Sequence, residues 1–273
     1  MEELKIDRKR VKCKFAEYAD NYDITDEKIR LKVEHTYYVA DLSDRIAHSL
    51  ELSEHDIDMA WLIGMLHDVG RFEQIRKYGT FSDAESIDHA AYAVKLLFGS
   101  GTDEGRISDY IDIEDIENNT DMVEDVSIIK SAVLNHNTYR IKEGLDMRTQ
   151  LFCNIVRDAD KLDIFRVICD TPIEEIYDVT TDELMNSETT EEVMEAFRKK
   201  HAVLRSLKKT PVDNIVSHLA LVFELVFHES IVIAKEQGYV EKLMNFKSDN
   251  ERTLKQFEEI RSIIQEYYRS LNK

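Results

Sequence analysis

Helical periodicity runs through almost the whole chain, and few residues are present that would interrupt it. Between positions 27 and 50, apolar residues recur at steps of three and four, as one face of a helix requires. This stripe consists of Leu31, His35, Tyr38, Leu42, Ile46 and Leu50. Only eight Gly and two Pro occur in 273 residues, which favours long helices over short strands and turns. We therefore expect an all-α fold.

Capping signals predict where the following helices begin and end. Ser53-x-x-Asp56 resembles a capping box and predicts a helix that continues through 57–67 and ends near Gly70. Ser82-Asp-Ala-Glu85 is a stronger capping box and predicts a helix over 83–98.

The remaining pattern is also helical and shows no repeat of fixed period. Further helices are expected near 125–136, 148–169, 190–207, 212–236 and 240–270, with Gly238 as a C-terminal stop. We expect residues 1–170 to form a helical core that carries the site. Residues 171–273 are expected to form a C-terminal helical extension packed on that core, within one compact domain.

The charge balance limits the partners of the chain. Its net charge of -19 repels nucleic-acid phosphates and anionic membrane surfaces, so we expect it to bind neither. Its three cysteines form no CxxC pair and indicate reduced thiols. No signal peptide or apolar span is evident, which predicts a soluble, cytoplasmic protein. An anionic substrate would need a local positive centre, and a buried metal would supply one.

Residues 99–124 differ from the rest because glycines and acidic residues crowd together there. The segment could be a mobile loop beside a site, as functional loops often are. A solvated insertion without a role is the interpretation we favour, because charge runs are usually surface.

Histidine and aspartate side chains interrupt the apolar faces of several helices. One histidine on such a face is more often an ordinary core residue than a ligand. Here the pattern recurs on separate segments, at His35, His67, His89, His136 and Asp160, with Asp68 directly after His67. Buried carboxylates are costly unless they are paired or bound to metal, and imidazole and carboxylate are natural ligands of transition metals. The combination therefore predicts a metal site. We expect His48 and His55 to be exposed and His201, His218 and His228 to lie at the edge of the core.

Helix geometry restricts which acidic residues could share that site. Neighbours on a helix point about 100° apart, so His67 and Asp68 could serve one ion only at a helix end. Asp158 and Asp160 point in nearly opposite directions, whereas Asp163 shares part of the face of Asp160. Periodicity favours Asp160 only mildly.

The ordered motifs resemble the HD superfamily of metal-dependent phosphohydrolases. The resemblance spans roughly residues 30–170 and is carried by His35, Leu66-His67-Asp68-Val69-Gly70, Asp88-His89-Ala90, Asn135-His136-Asn137 and Asp158-Ala159-Asp160-Lys161. It implies a helical bundle in which His35, His67, Asp68 and Asp160 hold one ion. His89 and His136 occupy the positions that hold a second ion in the six-ligand members, with Asp68 bridging. The Ala-Asp-Lys run selects Asp160 over its neighbours.

The resemblance further implies hydrolysis of a phosphoester or phosphoanhydride by metal-activated water, with a nucleotide-like or other small phosphorylated substrate. Two divalent ions are expected, drawn from Fe, Mn, Zn, Co, Ni or Mg. The GYP signature of the cyclic-dinucleotide phosphodiesterases is absent. Arg71 stands where many members have a lysine and, with Lys161, is expected to bind phosphate; the general acid stays open.

Two alternatives remain at this point. Some HD-domain proteins with the same six ligands are di-iron oxygenases, and ligand identity alone does not separate them from hydrolases. A catalytically idle signalling or scaffold module is the second alternative. The apolar helices after Pro172 could supply the face of a homodimer.

Overall fold

The protein is all-α, as the sequence predicts. The computed structural model describes residues 4–101, 106–112, 119–172, 176 and 179–271, and these residues contain helices and turns but no strand. The chain divides into two compact units, Met1–Asp163 and Ile164–Lys273. The predicted organisation into a core and a packed extension stays a prediction.

The first unit contains the helices that precede and include the long α8, which continues into the second unit. They are α1 Arg8–Ala19, α2 Glu27–Ser49, α3 Glu54–Leu66, α4 Val69–Tyr78, α5 His89–Phe98, α6 Ile107–Tyr110, α7 Thr120–Asn135 and α8 Met147–Asp170. A 3-10 turn, Asp83–Glu85, lies between α4 and α5.

The second unit consists of shorter helices and one long C-terminal helix. They are α9 Thr181–Asn186, α10 Glu191–Arg198, α11 Pro211–Leu219, α12 His228–Gln237, α13 Tyr239–Met244 and α14 Glu251–Ser270. Gly238 ends α12 in the left-handed conformation at φ 70°, as expected of a C-terminal stop. The single helix predicted over 212–236 is instead divided by a 3-10 turn at Ala220–Glu224.

One predicted helix boundary in the first unit is wrong, and it affects the site. The capping box predicted at Ser82 does not form, because the Ser82 side chain makes no cap hydrogen bond and only a 3-10 turn follows it. Asp83 in that turn bonds Arg71 and His89. Helix α5 begins at His89, where the side chain of Asp88 accepts the backbone N–H of Ala90 and Ala91. The helix predicted to end near Gly70 does end close to it, because α3 stops at Leu66 with His67 as its C-cap, and α4 then starts at Val69.

Glycines allow the helices of the first unit to approach closely. A Cβ added at Gly64 in α3 would lie 2.6 Å from Cα of Ala40 in α2. A Cβ at Gly70 in α4 would lie 2.2 Å from the carbonyl oxygen of His89 at the start of α5. Both distances are shorter than any tolerable contact, so only glycine permits these helix pairs to pack as they do.

The start of α4 is further fixed by α1. The Tyr18 hydroxyl donates a 2.8 Å hydrogen bond to the carbonyl of Val69. Phe15 and Tyr18 pack edge-on against Phe72 with ring centroids 5.8 and 5.5 Å apart. These contacts hold the backbone on which the His67-Asp68 dyad depends.

The acidic segment 99–124 is not simply a solvated insertion in its described part. Ile107, Tyr110 and Ile111 are buried, and the Arg10 guanidinium donates to the carbonyls of Ser108 and Asp109. Residues 102–105 and 113–118 of the segment lie outside the described residues.

No described helix combines the length and apolar character needed to cross a membrane.

Candidate metal centre

The dyad His67-Asp68 lies at the junction of two helices. His67 is the C-cap of α3, and Asp68 is the N-cap of α4 with non-helical backbone angles of φ −108° and ψ 12°. The break between the helices allows both neighbouring side chains to face the interior, which a continuous helix would prevent. Both residues are buried. The dyad therefore lies at a helix end, where both neighbouring side chains can face the same site.

A first cluster of atoms that could ligate a metal surrounds one carboxylate oxygen of Asp68. Oδ2 of Asp68 lies 3.5 Å from Nε2 of His35 and 3.5 Å from Nε2 of His67. The two Nε2 atoms are 3.3 Å apart. Oδ1 of Asp160 lies 3.1 Å from Nε2 of His35 and 4.0 Å from Nε2 of His67. Four potential ligand atoms thus converge, and they come from α2, the α3–α4 junction and α8.

A second cluster forms around the other oxygen of the same carboxylate. Oδ1 of Asp68 lies 3.3 Å from Nε2 of His89 and 3.4 Å from Nε2 of His136. These two Nε2 atoms are 2.9 Å apart. His89 begins α5, and His136 is the C-cap of α7. Asp68 is therefore common to both clusters and turns a different oxygen toward each.

The other ring nitrogen of each histidine is already engaged. Nδ1 of His67 donates to the carbonyl of Gly64, and Nδ1 of His136 donates to the carbonyl of Val133, both at 2.7 Å. These acceptors are the otherwise unbonded carbonyls at the ends of α3 and α7. A carbonyl only accepts, so Nδ1 carries the proton and Nε2 of the neutral ring offers a lone pair.

Carboxylates perform the same task for the remaining two histidines. Nδ1 of His35 lies 2.6 Å from Oδ2 of Asp163, and Nδ1 of His89 lies 2.8 Å from both oxygens of Asp83. Each cluster consequently has one histidine oriented by a carboxylate and one oriented by a carbonyl. This pattern of outer hydrogen bonds is the one that metal-binding histidines generally show.

Electrostatics favour ionised carboxylates in the site. Burial opposes ionisation of Asp68, but the positive charge of Lys32 and the hydrogen bond with His35 hold the pKa of Asp68 well below its ordinary value. Burial likewise opposes ionisation of Asp160, and its hydrogen bond with His35 lowers its pKa. Both groups are thus negatively charged at neutral pH.

The two histidines of the first cluster differ in basicity. Burial lowers the pKa of His67 to about 3, so its ring is neutral. Burial and the charge of Lys32 also oppose protonation of His35, but hydrogen bonds to Asp160, Asp163 and Asp68 raise its pKa to about 10. A metal ion at Nε2 of His35 would take the place of that proton.

The donors fit divalent ions. Imidazole Nε2 and carboxylate oxygens are suited to Fe, Mn, Co, Ni and Zn. Oδ1 of Asp68 is buried and accepts no hydrogen bond from any described residue, a costly arrangement that a bound cation would relieve. Ligand atoms within 4.8 Å of one another occur in His35, His67 and Asp160 and again in His67, Asp68 and His136. Asp83, Asp88 and His89 meet the same distance, but Asp88 caps α5 and Nδ1 of His89 donates to Asp83.

Of the two cations predicted to bind phosphate, Arg71 lies beside the clusters. Its Nε is 3.7 Å from Oδ1 of Asp68. Its NH1 donates to Gln74 Oε1, the Phe81 carbonyl and Asp83 Oδ1 at 2.6 to 2.9 Å. Lys161 instead donates to the Arg157 carbonyl at 3.1 Å and lies 3.5 Å from Asp158. Its role as a phosphate ligand stays a prediction.

Three residues with direct contacts to the clusters did not emerge from the sequence as parts of the site. Lys32 pairs with Oδ2 of Asp68 at 2.6 Å, and its position three residues before His35 on α2 was the available signal. The sequence presents Asp163 only as a competitor of Asp160. No feature of the sequence marks Asp83 as part of the site, because its sequence context matches a helix cap.

The remaining histidines lie outside these clusters, with some differences from expectation. His48 is exposed as predicted, but the side chain of His55 is only 12% exposed and lies 2.7 Å from Oδ2 of Asp125. His201 and His228 are exposed rather than at the core edge.

Comparison with known proteins agrees with the geometry. The family model for the HD domain matches residues 33–164, a range that contains all six clustered donors. Searches of curated proteins and of solved structures gave no match. HD domains belong to a superfamily made up mostly of metal-dependent phosphohydrolases. With this helical architecture and this match, residues 33–164 of the chain form an HD domain.

Proposed function

We propose that this protein is a phosphohydrolase that binds two divalent ions per chain and cleaves a phosphoester or phosphoanhydride of a small, nucleotide-like substrate. One observation carries the proposal: the two oxygens of Asp68 face two different histidine pairs. A carboxylate placed in this way can bridge two ions. Structural metal sites, by contrast, are usually closed around a single ion.

The proposed ligands divide between two ions. His35, His67, Asp160 and Oδ2 of Asp68 would hold one, and His89, His136 and Oδ1 of Asp68 would hold the other. Bound there, the ions would lower the pKa of a water molecule and offset charge on the phosphoryl group.

The protein's own groups prepare the site for this chemistry. The Nδ1 hydrogen bonds fix the four imidazole rings before any ligand arrives, which reduces the ordering cost of binding. Arg71 presents a guanidinium to the second cluster with its NH1 held by three acceptors. A planar guanidinium fixed in this way suits the oxygens of a phosphoryl group.

Metal analysis of anaerobically purified protein, combined with a phosphate-release screen of nucleotides and phosphoesters, tests the proposal. We expect two ions per chain and phosphate release that Asp68→Ala abolishes. Asp41→Ala, at an exposed position of α2, is the matched control and should leave both unchanged.

Two outcomes would contradict the proposal. Absence of phosphate release from every substrate, together with oxygen consumption by iron-loaded protein, would identify an oxygenase instead. Fewer than one ion per chain under all loading conditions would remove the two-ion site.

A further inference from the structure

Lys32 is a half-buried cation that points at the metal-ligand clusters. Its side chain is 14% exposed, and its Nζ lies 2.6 Å from Oδ2 of Asp68. The ammonium also lies 5.5 Å from the centroid of the Phe81 ring. Lys28, one turn earlier on α2, instead donates to the carbonyl of Gly79 in an exposed position. Lys32 therefore contributes its charge to the site rather than to the surface.

The oxygen that Lys32 contacts also faces the histidines of the first cluster. Oδ2 of Asp68 is the atom that faces Nε2 of His35 and His67, so an ion held by these groups would compete with the ammonium for the same negative charge. Among the described residues, the ammonium of Lys32 bonds only Asp68. A half-buried ammonium that loses its partner needs another anion, because an unpaired charge away from water is costly.

Lys32 and Arg71 approach different oxygens of the shared carboxylate. Lys32 lies at Oδ2 on the side of the first cluster, and Arg71 lies 3.7 Å from Oδ1 on the side of the second. Arg71 is fixed by three acceptors at NH1, whereas Lys32 has a flexible stem and one ion pair. One rigid and one adjustable cation thus lie beside the carboxylate that is common to the two clusters.

We propose that Lys32 binds a phosphoryl oxygen of the substrate on the His35–His67 side of Asp68, whereas Arg71 lies by the oxygen that faces His89 and His136. The inference rests on the proposed function for its substrate class. Lys32 is not one of the six proposed metal ligands, and it does not occupy the position of Arg71 that follows the dyad. It also explains how a chain with a net charge of -19 could attract an anion to this point.

Binding of inorganic phosphate to the metal-loaded protein, measured by calorimetry, tests this assignment without turnover. Lys32→Met keeps the apolar stem and removes the charge, and we expect the phosphate dissociation constant to rise about tenfold or more, as for loss of one charge-assisted hydrogen bond. Metal content should not fall, because the substitution removes a competitor for Asp68. Lys32→Arg should restore part of the affinity. Arg30→Gln removes a charge from an exposed position of α2 and should leave phosphate binding unchanged.

The possible results separate this inference from the proposed function. Unchanged phosphate affinity in Lys32→Met, or loss of metal from that variant, would show that Lys32 serves only as the ion-pair partner of Asp68. Hydrolysis by the wild-type protein with an unaffected Lys32→Met variant would overturn the inference alone. Lys32-dependent phosphate binding in a protein that hydrolyses nothing would overturn the proposed function alone.

Discussion

At the scale of single residues, the outer hydrogen bonds distinguish the two clusters. Asp163, which orients His35, is fully buried, whereas the Asp83 side chain, which orients His89, is 29% exposed. Asp83 also accepts from Arg71, so one carboxylate connects a histidine of the second cluster with the cation beside it. Burial opposes its ionisation, but the hydrogen bond from His89 and the charge of Arg71 lower the pKa of Asp83.

Asp83→Asn should weaken metal binding at the second cluster by about 10–100-fold, as expected when the partner of a ligating histidine is removed. The amide has one acceptor oxygen where the carboxylate has two, and it lacks the negative charge, so it would hold His89 in one orientation less firmly. Calorimetric titration with Mn²⁺ or Zn²⁺ should show one tight ion retained and the other weakened.

The matched control for this prediction is Glu85→Gln. Glu85 belongs to the same 3-10 turn but is exposed, so its substitution should leave both affinities unchanged. Equal weakening of both ions by Asp83→Asn would contradict the assignment of Asp83 to the second cluster.

The sequence predicts well which histidine and aspartate side chains converge. It predicts less well which other residues bond to them. Apolar periodicity identifies the inward face of each helix, and the five buried or nearly buried donors His35, His67, His89, His136 and Asp160 interrupt such faces. The contacts of Asp83 and Lys32 depend on how separate helices pack, and no local pattern records that packing. Asp83 is the clearest case, because its local sequence predicts a helix cap that its tertiary contacts override.

At the scale of helices, the contact between α4 and α5 places His89 against the dyad. Gly70→Ala would bring a Cβ within 2.2 Å of the His89 carbonyl oxygen and would push the two helices apart. We expect a loss of about 1–3 kcal/mol in the free energy of unfolding, as for an overpacked interior, together with weaker metal binding at the second cluster. Chemical denaturation and metal titration measure the two effects.

Gly79→Ala is the control for Gly70→Ala. Gly79 ends α4 at φ 66° with no atom within 4 Å of an added Cβ, so alanine there costs about 1–2 kcal/mol of backbone strain without a steric clash. It should lower stability but leave metal affinity unchanged. Equal effects of both substitutions on metal affinity would mean that general destabilisation, and not the position of α5, controls the site.

Helices α3, α7 and α8 are joined by a buried charge cluster away from the dyad. Oδ2 of Asp125 lies 2.7 Å from Nε2 of His55, and Oδ1 lies 2.9 Å from NH2 of Arg148. Burial opposes ionisation of Asp125, but the hydrogen bonds from His55 and Arg148 outweigh it and lower its pKa. Because the folded-state pKa is depressed, the stability it contributes is present above the unfolded pKa of about 3.9 and is lost as the pH falls through the folded value.

Asp125→Asn should therefore reduce the fall in stability below about pH 4, while costing about 1–3 kcal/mol near neutral pH through the lost charged hydrogen bonds. Urea denaturation at several pH values between 3 and 7 would measure both. Asp41→Asn, an exposed substitution on α2, should leave the pH profile of the wild-type protein intact. A profile unchanged by Asp125→Asn would assign the acid sensitivity to other carboxylates.

The helices that the sequence predicts well are the long periodic ones. Helices α2, α7 and α8 lie close to their expected ranges, because many regularly spaced apolar residues determine a long helix. The helix end near Gly70 is also predicted, because a capping signal and a glycine mark it in the sequence. The start of α5 at His89 is not predicted, because Asp83 makes tertiary hydrogen bonds to Arg71 and His89 that no local capping pattern records.

At the scale of the whole molecule, a strongly acidic chain is proposed to bind an anion. The net charge of -19 repels a phosphorylated ligand at distances beyond the site, and dissolved salt screens that repulsion. The cations of Lys32 and Arg71 are mostly buried, so salt screens their attraction much less. The two effects therefore respond differently to ionic strength.

The association rate of phosphate with the metal-loaded protein should consequently rise as ionic strength increases from about 10 to about 150 mM, a range over which the Debye length falls from about 30 to about 8 Å. Stopped-flow competition against a coloured phosphoester would measure this rate, with a neutral salt that does not bind metal. Lys32→Met should show the same upward slope from a lower starting rate, because the long-range repulsion is unchanged and only the local attraction is lost. A rate that falls with salt in the wild-type protein would mean that the local cations dominate the field along the whole approach.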